Sequence, residues 1–345
     1  MKAVGKTQKG QGIEVFDIKE PELGSDDCLV RVKATAICGT DLHYYHWDAY
    51  AERHNPGLPR VLGHEFCGDV VKVGQNVKGL KIGDKVAGET HIPCGTCYFC
   101  KTGNMHICRN MKIFGVDTIY GSFAPYTVIP EITAVKIPDD IGYEEGAVLE
   151  PLGVAMHAIT EANIQPGDSV VVTGCGPIGL FAQQLAKIAG ASKVISAEVK
   201  DYRLKLSEKI GVTEAINVSA VDPVKRTREL TGGMGANVVI EISGSNVAIQ
   251  QALQMASLRG KVVLVGTAQK PTEIDTTNML IYKEIKLSGI TGRLMFDTWY
   301  RAINIVASKM IDLNTVITHR FTLEDAEKAF TLSDKGETGK VLFLL

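Results

Sequence analysis

Four cysteines lie close together in the sequence and offer the ligands of a metal site. Cys94, Cys97, Cys100 and Cys108 fall within fifteen residues with the spacing C-x₂-C-x₂-C-x₇-C. One short loop can direct four such thiolates at a common centre, the tetrahedral arrangement of a structural Zn²⁺. A disulfide knot is typical of short secreted chains, and a redox pair needs only two cysteines. The spacing therefore favours structural zinc, and an iron–sulfur cluster is the main alternative.

A second set of possible metal ligands is spread over the first 150 residues. Cys38 follows a strand-like run, His64 and Glu65 are adjacent, and Glu150 lies in Leu149-Glu150-Pro151. A thiolate, an imidazole and carboxylates form a mixed donor set suited to Zn²⁺, and three protein ligands leave a position for water or substrate. These residues predict a catalytic metal, but they do not decide whether Glu65 or Glu150 is the third ligand.

A glycine-rich turn predicts a dinucleotide site. The expected strand Ser169–Thr173 runs into Gly174-Cys175-Gly176-Pro177-Ile178-Gly179, and an apolar helical pattern follows. In this context the glycines permit a tight turn and a close approach of pyrophosphate to the helix N-terminus. Glu198 lies 19 residues beyond Gly179, where a carboxylate can accept hydrogen bonds from the ribose hydroxyls and repel a 2′-phosphate. NAD is therefore favoured over NADP.

The elements that must position these residues change character near residue 150. Before it, short β-rich runs such as residues 29–32 and 68–73 alternate with Gly, Pro and Asp, which is typical of a barrel-like or sandwich-like β domain. After it, apolar strands alternate with helical patterns, which predicts a parallel sheet covered on both faces. The fold class is thus α/β with an additional β-rich domain.

Composition limits the class of protein. The chain has 345 residues, 45% of them hydrophobic, and a formal net charge of −2. This length is more typical of two domains than of one, and the charge gives no general attraction to nucleic acid or to an anionic membrane. No apolar leader follows Met1-Lys2 and no long uncharged apolar run is present. With its thiols assigned to metal, the chain is expected to be cytoplasmic.

Five motifs in order resemble the zinc-dependent medium-chain dehydrogenases: residues 38–43, Gly63-His64-Glu65, the four cysteines, the Glu150-Pro151-Leu152 junction and the nucleotide fingerprint. Within that superfamily the chain is most similar to the L-threonine 3-dehydrogenase family. The segments that carry this similarity are residues 36–45, 89–92, 112–117 and 289–293, together with Thr298-Trp299-Tyr300.

The resemblance implies an architecture and a cofactor site. It implies a GroES-like catalytic domain from residues 1–152 and 294–345, with a structural-zinc lobe at about 89–112, and a Rossmann NAD-binding domain at 153–293. Members of the family are commonly homotetramers. The implied cofactor-binding residues are Gly174, Gly176, Pro177, Ile178, Gly179, Glu198, Arg203, Val265, Ile290 and Thr291.

The resemblance also implies a reaction. The β-hydroxyl of L-threonine would lose its proton through Thr40 and then His43 while a hydride passes to NAD, giving 2-amino-3-ketobutyrate. His91 is either a partner for the substrate carboxylate or a structural histidine. Val154 and His157 match a polyol dehydrogenase pattern instead, so a sorbitol- or butanediol-type secondary-alcohol dehydrogenase is the alternative. A zinc-stabilised nucleotide-binding protein without turnover is a third hypothesis.

Overall fold

The chain folds into two compact units, each assembled from separated stretches of sequence. The computed structural model describes residues 1–345. The first unit comprises Met1–Pro151, Leu294–Ser308 and Ile317–Leu345, and the second comprises Leu152–Arg293 and Lys309–Val316. No helix in either unit combines the length and the apolar character that crossing a membrane requires.

The first unit is rich in β-strands, which run in chain order as β1 (Lys2–Lys6), β2 (Glu14–Asp17), β3 (Asp27–Ala36), β4 (Arg60–Val61), β5 (Glu65–Val73), β6 (Lys85–Gly88), β7 (His91–Ile92), β8 (Lys112–Ile113), β9 (Tyr126–Pro130), β10 (Ala134–Lys136), β17 (Ile317–Phe321) and β18 (Lys340–Leu344). The largest sheet has the order β10-β6-β5-β3-β18-β17, and β9 also pairs with β3. The C-terminal strand therefore lies directly beside β3.

Helices of this unit are mostly short: α1 (Gly39–His46), α2 (Ala49–Arg53), α3 (Tyr98–Lys101), α4 (Tyr143–Ala147), α10 (Asp297–Ala307) and α11 (Ala326–Lys335). The core divides into two apolar clusters. One includes Phe123, Phe330 and Phe343, and the other includes Phe66 and Phe114. Burial of these large side chains fixes the strand ends from which the candidate ligands project.

The second unit is built around a parallel sheet of β11 (Ser169–Thr173), β12 (Lys193–Glu198), β13 (Glu214–Asn217), β14 (Ala236–Glu241), β15 (Ala256–Leu264) and β16 (Lys286–Gly289). Its order is β13-β12-β11-β14-β15-β16: β12 and β13 are added on one side of β11, and β14, β15 and β16 on the other, so the direction of strand addition reverses next to β11. This is the doubly wound nucleotide-binding topology, with the ligand crevice at the point of reversal. The predicted fold class is confirmed.

Helices connect the parallel strands: α6 (Pro177–Ile188), α7 (Asp201–Ile210), α8 (Pro223–Leu230) and α9 (Asn246–Met255). A further helix, α5 (Leu149–Ala162), begins in the first unit and ends in the second. Every residue of β11 is buried, as expected for a central parallel strand with both faces covered.

Candidate active site

The four cysteines of the lobe converge as their spacing predicts. Each Sγ lies within 4.8 Å of the others, and none of the cysteines forms a disulfide. Measured Sγ–Sγ separations are 3.6 Å for Cys97 and Cys100, 3.8 Å for Cys97 and Cys108, and 3.5 Å for Cys108 and Cys94. A tetrahedron with Zn–S bonds of about 2.3 Å has edges of about 3.8 Å. The cluster therefore fits a closed structural Zn²⁺.

Backbone and hydroxyl groups around this cluster favour the thiolate form. Hydrogen bonds from the backbone and hydroxyl of Thr96 lower the pKa of Cys94 to about 5. The backbone N–H groups of Cys94 and Asn110 both donate to Cys108 Sγ at 3.3 Å. Because zinc binds the thiolate and not the thiol, these donors suit the metal.

Strand pairing brings the mixed ligand set together. Antiparallel pairing of β3 and β5 places Ala36 opposite Glu65, so Cys38, just beyond the end of β3, comes next to His64 and Glu65. One ligand atom from each of Cys38, His64 and Glu65 lies within 4.8 Å of the others. Burial raises the pKa of the Cys38 thiol, so a cation is needed to hold it as a thiolate. The donor set and its burial fit a catalytic Zn²⁺.

Asp41 connects the two segments that carry these ligands. It is 1% exposed, and its Oδ2 accepts a hydrogen bond from the Cys38 N–H at 2.8 Å. Its Oδ1 accepts from the Gly63 N–H at 3.2 Å and lies 4.0 Å from His64 Nδ1. Asp41 therefore supports the site by tying together the backbone segments that carry Cys38 and His64.

Glu65 is held by a lysine from the C-terminal strand. Lys340 Nζ donates to Glu65 Oε1 at 2.8 Å, to Glu65 Oε2 at 2.7 Å and to the Ile37 carbonyl at 3.0 Å. Both side chains are buried. Burial alone would lower the pKa of Lys340, but the Glu65 carboxylate raises it above its usual value. The lysine therefore remains charged and compensates the buried carboxylate.

Glu150, the other predicted carboxylate ligand, lies outside the group of three but close to it. It is 6% exposed at the first turn of α5, and its Oε1 accepts a hydrogen bond from the Thr90 hydroxyl at 2.6 Å. The charge of Glu150 contributes to the raised pKa of Cys38. Glu150 from α5 and Asp41 from α1 therefore both disfavour the Cys38 thiolate.

Next to Thr90, Glu89 fixes His91. Glu89 is fully buried, and its Oε1 accepts hydrogen bonds from the His91 N–H at 2.8 Å and from His91 Nδ1 at 2.9 Å. Its Oε2 accepts from Trp299 Nε1 at 2.6 Å. The histidine is thereby held in one orientation beside the segment that contacts Glu150.

The predicted relay residues lie on α1, immediately after Cys38. Thr40 Oγ1 is 3.7 Å from Cys38 Sγ. Thr40 and His43 are three residues apart on one helix, a spacing that places two side chains on the same face. His43 Nδ1 lies 2.6 Å from Asp48 Oδ2, and its ring stacks on Tyr50 with centroids 4.9 Å apart.

In the second unit, the glycine-rich turn has the geometry that the fingerprint requires. Gly174 has φ +85°, and a Cβ on Gly179 would lie 1.9 Å from the Gly174 carbonyl oxygen, so neither position accepts a larger residue. The following helix α6 starts at Pro177 after the N-cap Gly176, and no side chain caps it. Free N–H groups at a helix N-terminus are an anion site, which fits the NAD pyrophosphate.

Glu198 ends β12 next to this turn. Its Oε2 accepts from the Cys175 N–H at 2.8 Å, and its Oε1 accepts from the N–H groups of Val199 and Lys200 at 2.7 and 3.1 Å. The carboxylate is thereby fixed beside the fingerprint, the place where it would meet ribose hydroxyls. A Cβ on Gly176 would approach Arg203 Nη1 at 3.9 Å, which places this guanidinium beside the first turn of α6.

The remaining predicted cofactor residues lie at the same edge of the sheet. Val265 directly follows β15, and Ile290 and Thr291 directly follow β16. In the strand register, Thr173 pairs with Glu241, Glu241 with Leu264, and Leu264 with Gly289. The three residues therefore extend from the carboxyl ends of the strands, where ligands bind in open α/β sheets.

Sequence reasoning did not identify four supporting residues, namely Asp41, Asp48, Thr90 and Lys340. Asp41 carries a readable signal, because it lies three residues after Cys38 at the start of a helix and accepts the Cys38 N–H. Lys340 carries none, because its partner Glu65 is 275 residues away in the sequence.

Comparison with known proteins agrees with this arrangement. Residues 24–139 match the alcohol dehydrogenase GroES-like domain, and residues 177–308 match the zinc-binding dehydrogenase family. The L-threonine 3-dehydrogenase of Bacillus velezensis is 42% identical over 344 residues, covering 100% of this chain and 99% of that protein.

Two solved structures extend the comparison. The alcohol dehydrogenase TADH from Thermus sp. ATN1 has a TM-score of 0.91 at 29% identity, covering 100% of this chain and 99% of that one. The 2R,3R-butanediol dehydrogenase from Bacillus subtilis has a TM-score of 0.88 at 29% identity, with the same coverage.

The matches span both units: both ligand clusters lie within residues 24–139, and the second match begins at residue 177, the first residue of α6. Zn²⁺ and NAD are accordingly the cofactors, and an alcohol oxidoreductase is confirmed in preference to a non-catalytic nucleotide-binding protein. The chain therefore belongs to the zinc-dependent medium-chain dehydrogenases.

Proposed function

We propose that the protein is an NAD-dependent L-threonine 3-dehydrogenase. The observation that carries the proposal is the buried Cys38–His64–Glu65 cluster, with Thr40 beside it, in a chain that is 42% identical over its length to a threonine dehydrogenase. The similarity to the butanediol dehydrogenase is 29%, which favours threonine over a diol. The product would be 2-amino-3-ketobutyrate.

We propose that Cys38, His64 and one carboxylate hold the catalytic metal. Glu65 is in the cluster and accepts hydrogen bonds from Lys340 on both oxygens, and Glu150, on the first turn of α5, accepts one from Thr90 on Oε1. Both carboxylates are therefore candidates, with Glu65 as the nearer group. When bound, Zn²⁺ would polarise the substrate hydroxyl, and NAD would accept hydride from the adjacent carbon.

The chain's own residues would remove the proton. Thr40 Oγ1, next to Cys38, would accept the proton of the substrate hydroxyl and pass its own proton to His43 on the same helix face. The His43 side chain is 33% exposed, so the imidazole can release the proton to solvent. Histidine suits this step because its ordinary pKa lies near neutral pH.

The substrate's carboxylate needs a separate partner, and we propose His91. Its Nδ1–H is fixed by Glu89, and it follows Thr90, which contacts Glu150. A carboxylate partner at this position distinguishes an amino acid from an uncharged polyol, since leaving a charge unpaired in a buried site is costly.

The residue that favoured a polyol dehydrogenase has another role in the structure. His157 is 6% exposed, and its Nδ1–H donates to the Gly292 carbonyl at 3.0 Å. Burial lowers its pKa, and the bond to Gly292 opposes this effect only in part. The Val154 and His157 pattern thus has a packing explanation within the second unit, and the polyol alternative rests on that pattern alone.

The test is NADH formation from NAD⁺ with L-threonine, D-threonine, L-serine, sorbitol, xylitol and 2,3-butanediol. We expect preferential turnover of L-threonine that a chelator abolishes and Zn²⁺ restores. Turnover of polyols or diols alone would contradict the threonine assignment and leave the zinc and hydride chemistry intact.

His91→Ala should raise KM for L-threonine more than KM for 2,3-butanediol.

Two further properties belong to the same proposal. We propose a homotetramer in the cytoplasm, as an enzyme of threonine catabolism. None of the eight cysteines forms a disulfide, a state that a reducing compartment would preserve. Exposed apolar side chains, among them Leu258, Ile281, Tyr282 and Leu287, lie on or near the outer strand β16 and would be covered by another subunit. Sedimentation equilibrium measures the oligomeric state directly.

A further inference from the structure

Asp48 uses its two carboxylate oxygens for two different purposes. Oδ1 caps helix α2 by accepting hydrogen bonds from the backbone N–H groups of Tyr50 at 2.8 Å and Ala51 at 3.3 Å. Oδ2 lies 2.6 Å from Nδ1 of His43. A carboxylate can only accept at this contact, so the proton of the neutral imidazole is on Nδ1.

Helix capping does not account for the contact with His43. Asp222 caps α8 in the same way, with Oδ1 accepting from Val224 N–H at 2.8 Å and Lys225 N–H at 3.3 Å. That cap matches the cap at α2 in both distances, and it needs one carboxylate oxygen only. The second oxygen of Asp48 therefore serves His43 and not the helix.

Other groups confine the imidazole and define its electrostatic environment. The ring of Tyr50 packs against His43 with the two planes tilted by 31°, and the ring of His54 packs against Tyr50 with a centroid distance of 4.5 Å. Beyond it, Asp117 Oδ1 lies 3.4 Å from His54 Nδ1. Asp48 is thus the charged group in direct contact with His43, and the second carboxylate lies beyond two aromatic rings.

We propose that Asp48 is a positioning residue for the proton relay: it holds the proton of His43 on Nδ1, so that Nε2 is free to accept the proton that Thr40 passes on. This inference rests on the proposed function, in which His43 receives that proton. Once Nε2 is protonated, the same carboxylate stabilises the imidazolium. Burial raises the pKa of Asp48, but hydrogen bonds from His43 and the α2 backbone lower it overall, so the carboxylate stays ionised.

The variant Asp48→Asn separates the two purposes. The two backbone N–H donors of α2 require an oxygen, so the Asn carbonyl takes the capping position and its NH₂ points at His43. That NH₂ donates to Nδ1 and moves the ring proton to Nε2, which can then no longer accept. We expect kcat for the alcohol to fall about 10- to 100-fold, with KM changed less than about 3-fold.

The pH profile distinguishes positioning from a structural role. The relay needs neutral His43, and the Asp48 carboxylate, 2.6 Å from Nδ1, would stabilise the charged imidazolium. Without that carboxylate the imidazolium is less stable, so we expect the acid limb of log kcat to move to lower pH. Asp48→Ser retains a capping oxygen without an amide donor, and should show the same displacement of the limb with a smaller loss of kcat.

The experiment compares zinc-loaded wild type, Asp48→Asn, Asp48→Ser and the matched cap variant Asp222→Asn from about pH 6 to about pH 10. Asp222→Asn should leave both kcat and the acid limb unchanged. Unchanged kcat in Asp48→Asn, or a loss of kcat without movement of the limb in either Asp48 variant, would overturn the proposal. If the wild type oxidises a diol but not threonine, the proposed substrate fails, and the same comparison on the diol still tests Asp48.

Discussion

The two ligand clusters differ in how the chain builds them. The four-cysteine cluster comes from one short stretch of sequence, Cys94 to Cys108, and its supporting hydrogen bonds come from that stretch and from Asn110, two residues beyond it. The mixed cluster joins the end of β3 with the start of β5, and Lys340 and Glu150 approach it from distant parts of the chain. A closed sulfur site is thus a local unit, whereas the mixed site depends on the whole first unit.

The chemistry of the two sites follows from this difference. Four thiolates saturate a tetrahedral metal and exclude substrate, so the lobe contributes stability only. Three ligands of mixed type leave a coordination position, and the residues around them control charge and proton transfer. The variants below test whether the four-cysteine cluster affects stability alone while the mixed cluster affects catalysis.

The largest effect is expected for Cys38→Ser. Loss of a ligand from the mixed cluster should reduce kcat/KM about 1,000-fold or more, because Lewis-acid stabilisation is worth several kcal/mol. Zinc content should fall from two ions to one per chain while the unfolding temperature changes little. Elemental analysis measures the zinc content, and steady-state kinetics measure kcat/KM. The control is Cys28→Ala, which removes a buried thiol outside both clusters and should keep both metals.

For Cys100→Ser in the lobe we expect the opposite pattern. The loss of one structural ion should lower the apparent unfolding temperature by roughly 5–10 °C, because structural zinc contributes directly to folding. Turnover per zinc-loaded catalytic site should change less than about 3-fold. Thermal unfolding by circular dichroism and kinetics normalised to active sites make the comparison, and an equal loss of activity in Cys38→Ser and Cys100→Ser would refute the distinction.

Lys340→Met tests the remote support of the mixed site. It leaves Glu65 buried without its compensating charge, which should cost about 3 kcal/mol or more in free energy of unfolding. Both tryptophans, Trp47 and Trp299, lie in the first unit, so urea unfolding followed by their fluorescence reports on this unit.

The matched control is the exposed pair Lys72–Glu20, whose side chains are 61% and 46% exposed. Lys72→Met should cost less than about 1 kcal/mol, since solvent screens an exposed ion pair. Equal losses of free energy of unfolding from Lys340→Met and Lys72→Met would show that burying Glu65 does not make the first unit depend on Lys340.

The same difference explains what the sequence could predict. The cysteine spacing and the turn from β11 into α6 are local, so their residue types alone specify a zinc lobe and a nucleotide site. Cys38, His64 and Glu65 could be chosen as ligands, but their meeting depends on the pairing of β3 with β5. Lys340 is a lysine at the start of a strand, and only the pairing of β18 with β3 reveals its partner.

Tertiary contacts also show features of two residues that the sequence does not reveal. His157 matches a polyol dehydrogenase pattern in sequence, and in the structure it is buried and donates to a backbone carbonyl of the second unit. Asp48 looks like an ordinary helix cap in sequence, and its second oxygen gains a role only because α2 folds back onto α1. Side-chain spacing identifies donors, but orientation depends on tertiary contacts.

The smallest effects compare two threonines that each donate a hydroxyl hydrogen bond to a ligand. Thr90 donates to Glu150 Oε1 at 2.6 Å near the mixed site, and Thr96 donates to Cys94 Sγ at 3.6 Å in the lobe. We expect Thr90→Val to lower kcat/KM about 10-fold, because it removes a hydrogen bond that orients Glu150, a candidate ligand of the catalytic metal. Thr96→Val should change kcat/KM less than about 2-fold, since one weak sulfur hydrogen bond leaves four thiolates in place. Steady-state kinetics at saturating Zn²⁺ measure both, and a larger effect from Thr96→Val would mean that the lobe also influences turnover.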